Sequence, residues 1–507
     1  MKTVCGIDLG TQSCKVLIYD YETKTVLARS QTPVDMISEN DGTREQKAEW
    51  YDAALKSCFD KIDAGLKATV AAIGISGHQH SFVPLDEAGK PLYNVKLWCD
   101  TSTADECEQI TSAAGAAIPV GTGVASGEGV LIAETGLPMR PGYTAPKVQW
   151  LKNHKPELFA KLRHILLPHD YLNFLLTGEY TAEYGDASGT ALFDVRKREW
   201  SKKVCDLIDP AVIGYLPGLV EPGAIAGKVS ETAAAFFGLP VGALVASGGG
   251  DNMMGAIGTG AVKDGFLTMS LGTSGTLFGF SNTPVIDPSG NLAAFCSSSG
   301  GWLPLLCTMN CTVASEEFRA LFGLDVKAFD AEAAKASIGA DGMVILPFFN
   351  GERTPNLPNG RASVNGATSA NFKRENLARA SLESAIFGMR IGMEGFSELG
   401  FKAREIRLIG GGAKSKIWQS IAANVMNLPV RVPKSDEAAA MGGAIQALWT
   451  LLKQEAIPDV SIESLVDEHV VLDGSATATP DPESVAAYNA AYQEYAKYLA
   501  VLSPLYK

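Results

Sequence analysis

Two kinds of apolar spacing alternate along this chain. Roughly the first 30 residues carry continuous or period-two apolar runs broken at Gly10–Gln12 and Glu22–Thr23, which predicts three strands. A four-residue repeat then takes over, with Trp50, Ala54, Cys58 and Ile62 on one helical face. The run from Val70 to Ser76 predicts a buried strand that ends at Gly77-His78-Gln79-His80. Helical spacing returns over Ala145–Asn153 and His169–Leu176. Farther along, Ala243–Ser247 predicts a strand, Glu375–Leu399 a long helix and Ile406–Ile409 another strand. That last strand runs into Gly410-Gly411-Gly412-Ala413 and a helix through Trp418, Ile421, Ala422 and Val425, and Val485–Leu499 reads as an amphipathic helix. The stretch from Thr111 to Gly136 is rich in Ala, Gly and Ser without a clear period and is predicted as a loop. Strands alternating with helices in both halves predict an α/β architecture.

At 507 residues the chain is too long for one core, so two domains are expected, 1–245 and 246–507. The boundary follows the Pro/Gly cluster from Pro217 to Gly227 and Pro240. Composition is that of an ordinary globular protein, 46% hydrophobic and 20% charged. The net charge of −13 argues against nucleic acid or an anionic membrane as partner. It does not exclude a nucleotide, whose phosphates backbone N–H groups can hold. No apolar stretch approaches the length of a membrane span and the first residues lack the apolar run of a secretory leader, so a cytoplasmic location is expected. Nine cysteines without C-x-x-C spacing fit reduced, mostly buried thiols. A homodimer is compatible with this composition and not determined by it.

The chemistry concentrates in three glycine-rich turns. Asp251 sits in Gly248-Gly249-Gly250-Asp251-Asn252, and about 20 residues later comes Ser270-Leu271-Gly272-Thr273-Ser274-Gly275. The N-terminal segment carries the same turn, Asp8-Leu9-Gly10-Thr11-Gln12-Ser13. One such turn is usually just a hairpin. Two in corresponding places, with an acid on a glycine loop, point to a duplicated nucleotide-binding fold that transfers a phosphoryl group. The strand–glycine–helix passage around Gly411 adds a second nucleotide-sized turn. No G-x-x-x-x-G-K-[ST] occurs, and no strand-linked G-x-G-x-x-G with a matching acid. His78 and His80 would share one face if the strand continued, but no further ligand cluster supports a metal there.

These turns, with Pro141–Lys147, Leu166–Leu172 and Gly351–Pro355, resemble the FGGY family of carbohydrate kinases. The run from Gly142 to His154, centred on Lys147 and Trp150, satisfies the first family signature. Ala362 to Glu383 nearly meets the second, with Ala367 where a larger aliphatic is usual. The resemblance spans residues 1 to about 450. It implies two duplicated actin-like, ribonuclease H-like ATPase domains with an interdomain cleft, the architecture shared by sugar kinases, actin and heat-shock ATPases. It also implies ATP and Mg²⁺ as cofactors and a small sugar as acceptor. The xylulokinase branch is the most similar, which implies phosphorylation of a pentulose, D-xylulose.

The roles implied by the resemblance suit the residue types. Asp251 would take the proton from the attacking hydroxyl, although an Asp after glycines is commonly a helix cap. Asp8 would hold Mg²⁺ beside the phosphates, a hard cation suited to carboxylate and phosphate oxygens. Thr11, Gln12 and Ser13, with Gly272, Thr273 and Ser274, would hold the phosphates. Gly411, Gly412 and Ala413 would line the adenine side, and Gln79, His80, Asp100 and Asn252 the sugar. Arg353 is expected to anchor its loop. Two stretches depart from the family pattern. Gly77-His78-Gln79-His80-Ser81 stands for Gly-Gln-Met-His-Gly, and Cys99, Thr101 and Ser102 surround Asp100 where Asn, Gly and Arg are usual. Ribulose, another ketose or a polyol therefore remain alternative acceptors. A silent sugar- and nucleotide-binding regulator and a heat-shock-type ATPase are the readings from other classes.

Overall fold

The computed structural model describes residues 2–117 and 126–506. Its packing groups Met1–Val262, Asn282–Leu303 and Glu437–Val470 into one compact unit. Lys263–Ser281, Pro304–Asp436 and Val471–Lys507 form a second. The expected boundary is at 245/246; packing puts the helices Asp251–Thr259 and Ala438–Gln454 with the first sheet.

In the first unit the strand order is Ile225–Lys228, Leu244–Ala246, Val70–Gly77, Thr3–Leu9, Ser13–Asp20, Thr25–Pro33. Thr3–Leu9 and Ser13–Asp20 form the predicted antiparallel hairpin, and Val70–Gly77 runs parallel on the other side. One face is covered by the helix Ala48–Asp60, which buries Tyr51, Ala54, Leu55, Cys58 and Phe59 against Ile7, Leu9, Cys14 and Val16. The helix Ala438–Gln454 covers the other face, with Ala440, Ala444, Ile445 and Leu448 against Val4, Leu17, Tyr19 and Ala72. That helix lies so close that a Cβ on Gly6 would overlap the Ala440 carbonyl, and one on Gly258 the Ala438 carbonyl. Here glycine serves close backbone approach rather than a turn.

The second unit repeats the plan. Trp302–Thr308, Gly275–Gly279, Phe266–Leu271, Glu405–Gly410, Val430–Pro433 and Leu472–Ala478 follow one another in its sheet. Phe266–Leu271 and Gly275–Gly279 are antiparallel and Glu405–Gly410 runs parallel beside them, as in the first unit. The long helix Arg374–Glu398 packs here, and the helix Pro482–Leu502 lays Tyr488, Tyr492 and Tyr495 around Phe387.

Two expectations are corrected. The Ala/Gly-rich stretch is not a loop where it is described: Ala104–Ala117 and Gly127–Thr135 are helices, and 118–125 lie outside the described residues. The small residues let the two helices touch, since a Cβ on Gly127 would overlap the Thr111 carbonyl, so the apolar period is replaced by a contact of small faces. The loop at Gly351–Pro355 is anchored by Glu352 rather than Arg353. Glu352 is buried and accepts from Met309 N at 2.6 Å, Asn310 Nδ2 at 3.1 Å and Arg353 N at 2.7 Å, while Arg353 itself is exposed. The carboxylate accepts all three converging donors, whereas a guanidinium, which only donates, could accept none of them.

Candidate active site

The first glycine turn is held by its carbonyls. Gly10 N donates to Ser13 O at 3.0 Å, Val34 N to Gln12 O at 2.9 Å and Gln46 Nε2 to Thr11 O at 2.7 Å. Trp98 Nε1 donates to Thr11 Oγ1 at 2.9 Å. The turn borders a cavity of about 450 Å³ lined by Asp8, Gly10 to Ser13, Lys15, Val34, Met36, Trp98 and Cys99. Asp8 closes the strand, opposite Lys15 across the hairpin and beside Ser76 on the parallel neighbour. Its Oδ1 accepts from Ser76 Oγ at 2.8 Å. Burial raises its pKa, and the Ser76 hydrogen bond and the Lys15 charge offset part of that rise. Lys15 pairs with Glu437 at 2.6 Å.

Asp251 is delivered by a different device. Gly249 and Gly250 pair with Ser76 and Gly77 as a two-residue strand, and Asp251 opens the helix Asp251–Thr259. Gly248, at φ +76°, is clamped from the helix Ala438–Gln454: Gln446 Oε1 accepts from Gly248 N at 2.9 Å and its Nε2 donates to Gly248 O at 3.0 Å. Asp251 Oδ1 accepts from Asn252 N at 2.8 Å and Asn252 Nδ2 at 3.0 Å, so the side chain is tied to the next residue of its own helix, whose N-cap is Gly250. Burial first, then the nearby Asp8 and Asp186 carboxylates, push it up to about 7.

Beneath the glycines lies a polar layer the sequence did not announce. Asp186 is buried and bonds His169 Nδ1 through Oδ2 at 2.7 Å, and Asp170 lies 2.9 Å from His169 Nε2. Burial opposes charge on His169, but Asp170 and Asp186 outweigh it and raise its pKa. Burial lifts Asp186 to about 6 and Glu183 to about 7. The available signal was polar residues at apolar-face positions of short helices: His169 and Asp170 stand in Pro168–Thr177, Asp186 in Tyr184–Ala187.

The expected sugar residues are placed unevenly. Gln79 Oε1 accepts from Asn252 Nδ2 at 2.8 Å, which brings Gln79, Asn252 and Asp251 together. His80 is in the left-handed region at φ +64°, and its carbonyl accepts from Lys147 Nζ at 2.8 Å and Thr144 Oγ1 at 3.0 Å. These bonds hold a backbone conformation that a non-glycine residue rarely adopts. The ring packs against Tyr143 and Phe295. Asp100 is enclosed, with Oδ2 accepting from Arg44 N at 2.8 Å and Lys96 Nζ at 3.1 Å. Its Oδ1 accepts from Ser102 N at 3.0 Å and Ser102 Oγ at 2.6 Å. The strand ends at Gly77, so His78 and His80 do not share a strand face. His78 bonds Ser81 Oγ at 2.8 Å and Tyr51 OH at 3.3 Å, and burial lowers its pKa to about 3. Among the described residues no group of three or more His, Cys, Asp or Glu converges on an ion site.

In the second unit the turn at Gly272–Ser274 repeats the first. Gly272 N donates to Ser274 O at 3.2 Å, and Cys311 N and Thr312 N donate to the Thr273 and Gly272 carbonyls at 2.9 and 3.0 Å. Gly411–Lys414 forms a single 3₁₀ turn after Glu405–Gly410. Gly411 is exposed, whereas Gly412 and Ala413 are buried, Gly412 with no room for a Cβ beside Leu271. Ser415 then caps the helix Lys416–Met426 and Trp418 is buried in it.

A duplicated hairpin sheet with a perturbed carboxylate on a glycine turn defines a phosphotransferase of the two-domain sugar-kinase class. Residues 3–258 match the N-terminal domain, and 267–451 the C-terminal domain, of the FGGY family of carbohydrate kinases, and the chain belongs to that family. It is 42% identical to a xylulose kinase of Haemophilus influenzae over 98% of this chain and 99% of that one. It is 34% identical to a xylulose kinase of Streptomyces coelicolor over 89% of each. Among solved structures it resembles the xylulose kinase of Bifidobacterium adolescentis, with TM-score 0.83, 30% identity and 98% and 99% of the two chains covered.

Proposed function

We propose that this carbohydrate kinase transfers the γ-phosphoryl group of ATP to the terminal hydroxyl of a pentulose, D-xylulose, giving D-xylulose 5-phosphate. One observation carries the choice of sugar: the end-to-end similarity to relatives named xylulose kinase, 42% identical in the first case. The chemistry follows from this chain's own groups. Asp251, raised to about 7, is basic enough to accept a hydroxyl proton and is still ionised above neutral pH. As the sugar oxygen bonds to phosphorus, its proton passes to Asp251, and the bond from phosphorus to the ADP oxygen breaks.

The two pinned turns, Thr11, Gln12 and Ser13 with Gly272, Thr273 and Ser274, would hold phosphate oxygens through N–H and hydroxyl groups. Asp8 fits Mg²⁺: it is a partly accessible carboxylate ending a strand beside the cavity of the first turn, and a water-retaining hard cation takes its other ligands from phosphate and solvent. That ion would neutralise charge on the phosphates. Gly411, Gly412 and Ala413 would take the adenosine, with exposed Gly411 the point of approach. Gln79, His80 and Asn252 would meet the sugar. Asp100, with both oxygens engaged, would act by holding the turn that carries Cys99 and Ser102. In this reading the sugar groups other than Asn252 and the first phosphate turn belong to 1–245, and the base, second turn and adenosine side to 246–507. Nine free cysteines suit the reducing cytoplasm.

The test is ADP release with Mg-ATP against D- and L-xylulose, D- and L-ribulose, gluconate and glycerol, comparing wild type with Asp251→Ala. Turnover on D-xylulose that falls by at least about 10³-fold in the variant supports both assignments. Preference for another sugar moves the substrate and keeps the mechanism. No turnover with any sugar refutes the kinase reading.

A further inference from the structure

Asp251 is the visible end of a longer chain of buried polar groups. Its Oδ1 accepts from Asn252 Nδ2 at 3.0 Å, and the same amide donates to Gln79 Oε1 at 2.8 Å. The other end of Gln79, Nε2, is buried without a hydrogen-bond partner within range, and so is Asp186 Oδ1. These two atoms belong together: a Cβ on Gly250 would stand against both Gln79 and, 3.1 Å away, Asp186 Oδ1, and the Gln79 amide helps to stabilise the Asp186 carboxylate. Asp186 Oδ2 is in turn fixed by His169 Nδ1 at 2.7 Å, with Asp170 2.9 Å beyond the imidazole. Gln79 has 4% of its surface exposed and Asp186 and His169 none. An amide donor and a carboxylate acceptor facing each other in such a place satisfy one another by a charge-assisted hydrogen bond.

We propose that Gln79 is a positioning residue that couples the buried His169–Asp186 pair to Asn252 and so orients the Asp251 carboxylate for proton transfer. This rests on Asp251 being the base of the kinase reaction. The physical logic is that of a rigid outer shell. Asp251 opens a helix on a glycine loop, where the Asn252 backbone N–H fixes its Oδ1 at 2.8 Å and the Asn252 side-chain amide adds a second bond at 3.0 Å. That amide can set the plane of the carboxylate only if it is itself held, and Gln79 Oε1 does that. Gln79 holds its orientation, oxygen toward Asn252 and nitrogen toward Asp186, because the anion favours the donor end. The His169 cation keeps Asp186 anionic in a buried setting. Each group thereby determines the orientation of the next, and the last one is the base.

The experiment compares wild type, Gln79→Met, Asp186→Asn and the double variant by steady-state kinetics with ATP and the best sugar of the panel. Methionine conserves the length of glutamine and removes both polar ends. The expected result is a fall of about tenfold in kcat for each single variant, with KM for ATP within about twofold of wild type. The double variant should be no slower than the slower single one, because both cut the same chain. Thermal unfolding of each variant establishes that it folds. Gln79→Asn, which keeps the amide but is one methylene short, replaces Gln79→Met in the cycle should the latter fail to fold, with the same kcat loss expected. A variant at position 79 that raises only KM for the sugar, leaving kcat intact, would overturn the proposal and confine Gln79 to its part as a sugar contact. Multiplying effects in the double variant, or wild-type kinetics in Gln79→Met, would overturn it as well. Absence of turnover in the wild type is a different failure, that of the kinase reading itself.

Discussion

Asp251 illustrates how one residue type takes a role from its surroundings. An exposed aspartate is fully ionised at pH 7 and a weak base, whereas here burial and the Asp8 and Asp186 carboxylates raise it to about 7. The sign of the consequence is direct. A raised carboxylate is protonated below its pKa, and only the ionised form can accept the sugar proton. Rising pH through about 7 should therefore increase kcat/KM, with a fall of about tenfold per pH unit on the acid side. A profile of kcat/KM between about pH 5.5 and pH 8.5 checks this, and a flat profile down to the lower limit would rule Asp251 out as the titrating base. Asp251 was legible in the sequence because three glycines precede it. His169 and Asp186 were not, because their positions, 17 residues apart, signify nothing until the fold joins them at 2.7 Å.

At the scale of elements, the site depends on close packing of backbone on backbone. The helix Ala438–Gln454 holds the helix Asp251–Thr259 through Gly258 and Gly442, where a Cβ would overlap the Ala438 and Met254 carbonyls. Its Gln446 clamps Gly248 at the same time. Gly258→Ala should therefore destabilise the protein by about 3 kcal/mol, since neither rigid helix backbone can yield. It should also lower kcat by displacing the Asp251 helix. A thermal scan beside a kinetic assay measures both, and an unchanged melting temperature would show that the helices can separate without loss. Periodicity revealed most elements because an apolar stripe at spacing two or 3.6 is a property of local order. It failed over 111–136, where small residues replace the stripe, and at Arg353, whose neighbour Glu352 carries the loop's buried bonds.

For the whole molecule, a net charge of −13 surrounds a site that must attract a polyanion. In the proposed reading the backbone N–H groups of the pinned turns donate to the phosphates, at contact distance, while the net charge repels at long range. Raising ionic strength from about 20 to about 150 mM should then lower the apparent KM for ATP or leave it unchanged, as screening relieves repulsion. A KM that climbs steeply with salt would reveal a basic phosphate clamp instead. The sequence by itself determined the α/β class, the paired hairpins and the acid on its glycine turn, because each is written in neighbouring residues. Only the tertiary structure decided that Ala438–Gln454 serves the Asp251 turn, that Asp100 is saturated, and that Gln79 lies between Asp186 and Asn252. Those relations join positions up to about 200 residues apart, where burial and hydrogen-bond direction, rather than spacing along the chain, set what each side chain can do.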